Sequence, residues 1–235
     1  MSEKVEFAKV LVPKDIALKA ATIPNFEVYA ISNLTEALNF FLDDEIKSEF
    51  LVSKPHPIFE KTIKIKDKIF IPNFDFSLDF SEVKGQARAK RASLIAASGM
   101  HNILYEGSPG CGKSMCAKRL VYILPPQSPK EVMLSVAYES LNNKNVEFSA
   151  VRPFRSPHHT STRSSIFGGG SHSAKVGEVA LANGGVLFFD EFPHFGKKIL
   201  ESLREPLEDN KILISRVNSK VEYQTKFLFA AAQNP

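Results

Sequence analysis

Three short stretches carry residue types that could do chemistry. The first is Gly107 to Ser114, Gly-Ser-Pro-Gly-Cys-Gly-Lys-Ser, which satisfies the pattern G-x-x-x-x-G-K-[ST]. Glycines at this spacing let backbone N–H groups curl around an anion, and a helix that follows presents the positive end of its dipole. Gly107, Ser108, Pro109, Gly110, Cys111 and Gly112 would then cradle the phosphates of a nucleotide. Lys113 would reach the β- and γ-phosphates, and the Ser114 hydroxyl would sit on Mg²⁺. The second stretch is Val-Leu-Phe-Phe-Asp-Glu, 186–191, an apolar run with two acids at its tip. Phosphoryl transfer to water needs a carboxylate near the metal and a group that orients the water. Asp190 is the candidate for the metal shell and Glu191 for the base. Two adjacent acids in these roles point to ATP hydrolysis by a motor-type ATPase. The third is Phe-Leu-Phe-Ala-Ala-Ala-Gln-Asn-Pro, 227–235, where Asn234 could sense the γ-phosphate or simply begin a turn before proline.

These groups need strands that end beside one another and a helix behind the glycine loop. Asn-Ile-Leu-Tyr-Glu, 102–106, reads as a short strand before the loop, and a helix follows from about Lys113 until Pro125-Pro126 stop it. Gly-Gln-Ala-Arg-Ala-Lys-Arg-Ala-Ser-Leu-Ile-Ala-Ala-Ser-Gly, 85–99, is a helix with Gly99 placed as its stop. Residues 186–189 form a continuous apolar run, as a strand covered on both faces requires. Residues 197–209 read as one amphipathic helix with Ile199, Leu200, Leu203 and Leu207 on one side. Residues 211–225 read as a hairpin turning at Asn218-Ser219, and 226–235 as another buried strand. Strands alternating with helices predict an α/β layered sheet.

The N-terminal region has a different texture. Strand, helix, strand and helix follow within 50 residues, the second helix opening with Asn33 and Glu36 at capping-box spacing. Two strands alone make a marginal sheet, so this piece calls for a partner or a further half. Residues 51–80 read as a linker: a small hairpin around Lys66-Asp67, then Phe74, Phe76, Leu78 and Phe80 spaced two apart. That stripe reads as a docking surface for the adjacent domain.

Composition sets outer limits. The chain has 235 residues, 43% of them hydrophobic and 24% charged, with a formal net charge of +4. No apolar run approaches the roughly 20 residues of a membrane span, and the first ten residues lack the core of a secretory signal. Cys111 and Cys116 both lie within the glycine loop and its helix, where a disulfide would distort the loop, so a reducing cytoplasm is expected. The mild positive charge permits contact with nucleic acid without arguing for it. His158 and His159 are adjacent, with no cysteine free to join them, which speaks against a zinc site. Arg152, Arg155 and Arg163, set among hydroxyls, suggest a polar loop facing a neighbouring subunit or nucleic acid, or else an ordinary exposed loop.

Taken together, these residues resemble the AAA+ ATPases, and within them the magnesium-chelatase-like branch that contains the ComM/YifB family. The resemblance rests on Asp79–Ala92, the glycine loop, Arg-Pro-Phe-Arg-Ser-Pro-His-His (152–159), Gly-Gly-Gly-Ser (168–171), Gly177–Pro193, Leu200–Asp209, Ile214–Arg216 and Ala230–Pro235. It spans residues 79–235 almost continuously. Cys111, where small or hydroxyl residues are usual, and Phe188-Phe189, where leucines are frequent, are its small departures. It implies a P-loop AAA+ parallel sheet with flanking helices over 81–235, preceded by a partial α/β, Lon-protease-like segment at 1–50. No peptidase site can be placed on those 50 residues, so no peptidase activity is expected. The resemblance further implies adenine-side contacts from Val83, Gly85 and Gln86, and a pore hairpin whose Arg216 and Lys220 touch DNA, although solvated charges explain that hairpin equally well. It places an arginine finger and a helical lid beyond Pro235, so this chain reads as truncated and is expected to bind ATP weakly and turn over negligibly alone. ATP and Mg²⁺ are the implied ligands, a hexameric ring the implied assembly and branch migration of DNA the implied work. A chelatase-type motor subunit acting on a porphyrin and a nucleotide-gated assembly module without turnover are the rival readings.

Overall fold

The computed structural model describes residues 9–23, 27–42, 46–52, 56–74, 76–142, 146–169, 175–215 and 220–235. It divides into two compact units, residues 1–62 and 63–235. In the first unit, β1 (Lys9–Pro13) pairs in parallel with β2 (Glu27–Ile31), Lys9 opposite Glu27. Helix α1 (Lys14–Ala20) joins them and α2 (Leu34–Leu42) follows. The Asn33 carboxamide caps α2 by accepting the Glu36 N–H at 2.9 Å, and the Glu36 carboxylate accepts the Ser32 N–H at 2.7 Å. Phe40 closes edge-on against Tyr29, with 4.6 Å between ring centres.

The second unit opens with the hairpin β3 (Ile63–Ile65) and β4 (Lys68–Phe70), turning through Lys66 at positive φ. Helix α3 (Ala87–Gly99), strand β5 (Ile103–Glu106) and helix α4 (Lys113–Ile123) bracket the glycine loop. Next come α5 (Pro129–Ser140), β6 (Phe154–Arg155), α6 (Arg163–Phe167), the short pair β7 (Gly168–Gly169) and β8 (Lys175–Val176), and α7 (Glu178–Leu181). Strand β9 (Val186–Phe189), helices α8 (Lys197–Ser202) and α9 (Arg204–Asp209), the hairpin β10 (Lys211–Ser215) and β11 (Lys220–Gln224), and β12 (Leu228–Gln233) complete it. The central sheet has the order β5-β12-β9-β6, and every pairing in it is parallel.

Period two explains how one sheet serves two cores. From β9, Leu187 and Phe189 face a cluster with Ile166, Phe167, Val179 and Leu203, while Val186 and Phe188 face Ala97, Ala117 and Leu120. Strand β12 divides the same way, Phe229 and Ala231 against Leu228, Ala230 and Ala232. All four residues of β9 are fully buried, so its acidic tip is held by a rigid stem.

Four elements depart from the expectations. Gly99 is the last residue of α3, and Met100 after it takes the left-handed turn at φ 54°. A Cβ on Gly99 would lie 2.2 Å from the ring of the exposed His101, which would have to turn aside. Residues 197–209 break into α8 and α9 at Leu203, because Pro206 has no N–H to give the Ser202 carbonyl. Helix α5 and strand β6 lay outside the expected elements; α5 starts on a full capping box between Ser128 and Glu131. The expected turn at Asn218-Ser219 and the candidate Arg216 lie outside the described residues.

Candidate nucleotide-binding site

Parallel strands all end at one edge of a sheet, and here that edge gathers the chemistry. The chain leaves β5 at Glu106 and turns through Gly110 at φ 78° and Gly112 at φ 95°, conformations that favour glycine. It then enters α4 at Lys113, so the loop meets the N-terminus of an 11-residue helix. The side chain of Gln86, at the head of α3, ties that segment to the loop by donating to the Cys111 carbonyl at 3.1 Å. Gly85 and Gln86 are exposed, whereas Val83 is buried in the core beneath α3 and α4. A cleft of about 320 Å³ opens beside the loop between Gln86, Ala89, Tyr105 and Lys113. Burial pushes the Tyr105 hydroxyl up to about 12, partly offset by its hydrogen bond with Ser93 at 2.7 Å. Burial also raises the Cys116 thiol; both cysteines are free.

The Lys113 ammonium donates to the carbonyls of Gly107 at 2.6 Å and Ser108 at 3.0 Å and to Asn234 Oδ1 at 3.0 Å. That last bond joins the glycine loop to the end of β12, across 121 positions of sequence. One residue on, the Ser114 hydroxyl donates to Asp190 Oδ2 at 2.7 Å, joining the start of α4 to the tip of β9. Serine hydroxyl and aspartate oxygen at this separation are hard oxygen ligands of the kind Mg²⁺ takes, one or two from the protein and the rest from phosphate and water. The residues therefore fit that ion. Among the described residues, no group of three or more His, Cys, Asp or Glu side chains converges on a metal position.

Glu191 follows at φ 51°, a left-handed conformation that a glutamate adopts at a cost of about 1 kcal/mol. The Asp190 carboxylate accepts the Glu191 N–H at 3.0 Å, and the Glu191 carbonyl accepts the His194 N–H at 2.8 Å. The Glu191 carboxylate lies 3.1 Å from His159 Nδ1 and 3.5 Å from His194 Nδ1. Neither histidine was among the candidates. The available signal was register: Arg155 of β6 pairs with Leu187 of β9, and His159 and Glu191 each lie four residues further on.

The arginines of the same motif have other work. The Arg152 guanidinium is 8% exposed and donates to the carbonyls of Pro125, Pro126 and Gly184 and to the Glu131 carboxylate. Arg155 forks onto both Glu178 oxygens, at 2.5 and 3.0 Å. These two are internal braces, whereas the exposed Arg163 reaches the Ser202 hydroxyl at 3.1 Å. Lys220 is exposed at the start of β11, opposite Ser215.

Residues 79–235 match the model of the family described as magnesium chelatase, subunit ChlI. The chain belongs to this family. Within it the chain is similar to competence protein ComM of Haemophilus influenzae, 44% identical over 161 residues, covering 68% of this chain and 31% of ComM. YifB of Salmonella typhimurium is 45% identical over 159 residues, and YifB of Escherichia coli 44% over the same length, each covering 67% of this chain and 31% of the relative. The chain is thus ComM/YifB-like and spans about a third of the length of these relatives. Among solved structures, NtrX from Brucella abortus aligns with a TM-score of 0.45 at 18% identity, over 63% of this chain and 29% of NtrX. A second NtrX structure, in complex with ADP, aligns at 0.44 and 19%, over 64% and 30%. Family and sheet together make the second unit an α/β AAA+-type domain. No helix among the described residues is long and apolar enough to cross a membrane.

Proposed function

We propose that the chain is the ATP-binding and ATP-hydrolysing core of a ring motor that acts on DNA in the cytoplasm, with branch migration as its work. The observation that carries the hydrolytic part is the convergence of Lys113, Ser114, Asp190 and Asn234 on one sheet edge through two direct hydrogen bonds, with Glu191 next in the chain after Asp190. In this reading the loop N–H groups of 107–112 and the Lys113 ammonium hold the phosphates. Ser114 and Asp190 hold Mg²⁺, which when bound neutralises charge developing on the phosphates. Glu191 takes the proton of the attacking water, and Asn234 keeps that water and the γ-phosphate in line. Val83, through its backbone because its side chain is buried in the core, forms the adenine side with Gly85 and Gln86. The reading extends to DNA as the substrate, a hexameric ring as the assembly, and Arg216 and Lys220 as the DNA contacts; similarity to a competence protein is in keeping with its DNA part.

The family's description favours a second reading, a chelatase-type motor for inserting a metal into a porphyrin. The two separate in one assay on the full-length protein. Branched DNA is expected to stimulate ATP turnover, and a porphyrin-loaded partner is not. Turnover indifferent to every DNA form would overturn the proposed substrate, and turnover undiminished in Lys113→Ala would overturn the motor reading altogether.

A further inference from the structure

The stripe Phe74, Phe76, Leu78, Phe80 and the hairpin before it take no part in nucleotide binding. We propose that the β3–β4 hairpin and the segment carrying Phe74 and Phe76 form a contact surface for single-stranded DNA, outside the ATP site and separate from the hairpin of β10 and β11. The inference deepens the DNA part of the proposed function and rests on it.

The stripe divides in the middle. Leu78 and Phe80 are half-buried, Phe80 against the core beneath α3 and α4, whereas Phe74 is 72% and Phe76 58% exposed. Ile63, Ile65 and Ile69 of the hairpin are exposed as well, so large apolar side chains lie open all along residues 63–76. A run of this kind marks a surface that meets a partner. The chain is pinned on both sides of the two rings. Ile71 is buried and its N–H donates to the Gln127 carbonyl at 2.7 Å, and Ser77 Oγ shares a hydrogen bond with the Tyr122 hydroxyl at 2.8 Å. Lys68 and Phe74 each stand three residues from Ile71, so neither Cα is more than about 11 Å from that anchor.

The charge beside the rings selects the partner. Lys64, Lys66 and Lys68 are exposed against one acid in the hairpin, Asp67, and none of the three makes an ion pair among the described residues. Lys64 stands opposite Ile69 and Lys68 opposite Ile65, so each face of the ribbon carries one lysine and Lys66 takes the tip. Lys66 holds φ 55°, where glycine or asparagine would fit more easily, so the tip carries a cation at a conformational cost. Ammonium groups are compact point charges that suit phosphates and read no base, which predicts binding without sequence preference. A phenyl ring offers a flat apolar face that an unpaired base can cover, whereas the bases of a duplex are already stacked on one another. A cationic ribbon with open rings beside it therefore fits a single strand.

The test is fluorescence anisotropy of the full-length protein, with a non-hydrolysable ATP analogue, on a labelled deoxythymidine oligomer of about 20 nucleotides and on a duplex of the same length. The triple variant Lys64→Ala, Lys66→Ala, Lys68→Ala should weaken oligomer binding about tenfold or more. It should also flatten the log–log salt dependence by about two, at about 0.7 per lost phosphate contact. The pair Phe74→Ala, Phe76→Ala should weaken oligomer binding at least about fivefold, with the salt slope unchanged and duplex binding within about twofold of wild type. Phe74→Leu, Phe76→Leu, which keeps apolar bulk without a flat ring, should behave as the alanine pair. ATP turnover without DNA should match wild type in every variant, which separates a lost contact from a lost fold. A wild type that binds neither DNA form overturns the DNA reading and this inference with it. A wild type that binds the oligomer while either the lysine or the phenylalanine variants match it overturns the inference alone. So do phenylalanine variants that lose oligomer and duplex equally. Variants that keep DNA binding but lose retention on phosphatidylserine vesicles would overturn it and give the surface to a membrane.

Discussion

Arg152 offers the sharpest test of how this domain is built. Its side chain is 8% exposed, and its Nε and two Nη groups reach Pro125 O at 2.7 Å, Glu131 Oε1 at 3.0 Å, Pro126 O at 3.1 Å and Gly184 O. One planar head therefore ties the end of α4, the cap of α5, the start of β6 and the turn before β9. Truncation to alanine strands three carbonyls and removes the partner of one carboxylate. The buried Gly184 carbonyl costs about 1–3 kcal/mol when left unpaired, the part-exposed Pro125 and Pro126 carbonyls about 0.5 kcal/mol each once water replaces the guanidinium, and the packing of the aliphatic stem about 1 kcal/mol more. The Glu131 contact adds little, because that side chain is 37% exposed and water screens it. Arg152→Ala should thus lose about 3–5 kcal/mol, a large share of the ~5–15 kcal/mol that a domain typically holds. Arg152→Lys keeps the charge, but one ammonium cannot serve four acceptors spread around a plane, so about 2–3 kcal/mol should go.

Urea unfolding, followed with amide exchange at Val186, would measure both variants. The Val186 N–H donates to Pro153 O at 2.8 Å, so its protection reports on the β6–β9 junction itself. A loss below about 1 kcal/mol in Arg152→Ala would refute this reasoning and return Arg152 to the role of a surface contact. So would a variant that keeps its stability but loses affinity for nucleic acid.

Three further outcomes are expected. In Gly185→Ala the new Cβ would stand 1.9 Å from Pro153 O, backbone that cannot swing aside, so soluble yield or melting temperature should collapse, whereas Gly196→Ala, with open space around it, should be benign. Glu131 is pushed up by burial, but the Ser128 N–H and hydroxyl and the Arg152 guanidinium outweigh that and leave its folded pKa below the usual value. Its ionised form therefore stabilises the fold fully above the usual glutamate value of about 4.3, and that share is lost as pH falls through the depressed folded value. Glu131→Gln should cost about 1 kcal/mol at pH 7, seen by thermal unfolding, and the gap to wild type should close at acid pH. Asp190→Asn should abolish the dependence of nucleotide binding on added Mg²⁺ while leaving the secondary structure intact by circular dichroism; Mg²⁺ dependence equal to wild type would remove Asp190 from the metal shell.

What could be read in advance follows from the range of the forces involved. The glycine loop and the helix after it are local: Gly110 and Gly112 take positive φ where the pattern places glycine, and α4 starts at Lys113 as expected. The apolar run of β9 was legible because burial on both faces leaves no polar position along it. Strand β6 was not, since two residues cannot show a period; Phe154 and Arg155 become a strand only because β9 presents a free edge there. The arginines misled for the same reason. Arg152 and Arg155 have the composition of an exposed basic loop, and only the partners at 125, 126, 131, 178 and 184 turn them into braces. Gly99 does end α3, but the left-handed turn that closes the helix falls on Met100, one residue later.

The strand order accounts for which groups meet. Because β5, β12, β9 and β6 run parallel, the residue just past each strand arrives at the same edge, and their lateral order becomes the order of the chemistry. From β5 the chain delivers the loop and Lys113, from β12 Asn234, from β9 Asp190 and Glu191, and from β6 His159. Only neighbouring strands touch: Lys113 bonds Asn234, and Glu191 meets His159. The exception is Ser114, which reaches Asp190 across the width of β12 because it is carried on the helix packed over the sheet. A parallel pair is spaced about 4.8 Å apart, so the end of β5 and the tip of β9 stand roughly two strand spacings from each other. In the proposed function a γ-phosphate is held at the first and a water activated at the second, with Asn234 between them. A one-residue slip of β6 against β9 moves His159 by about 3.3 Å and breaks its contact with Glu191 while leaving the loop, Asn234 and Asp190 in place. The Lys113–Asn234 and Glu191–His159 contacts are therefore set by different strand pairs and can fail separately.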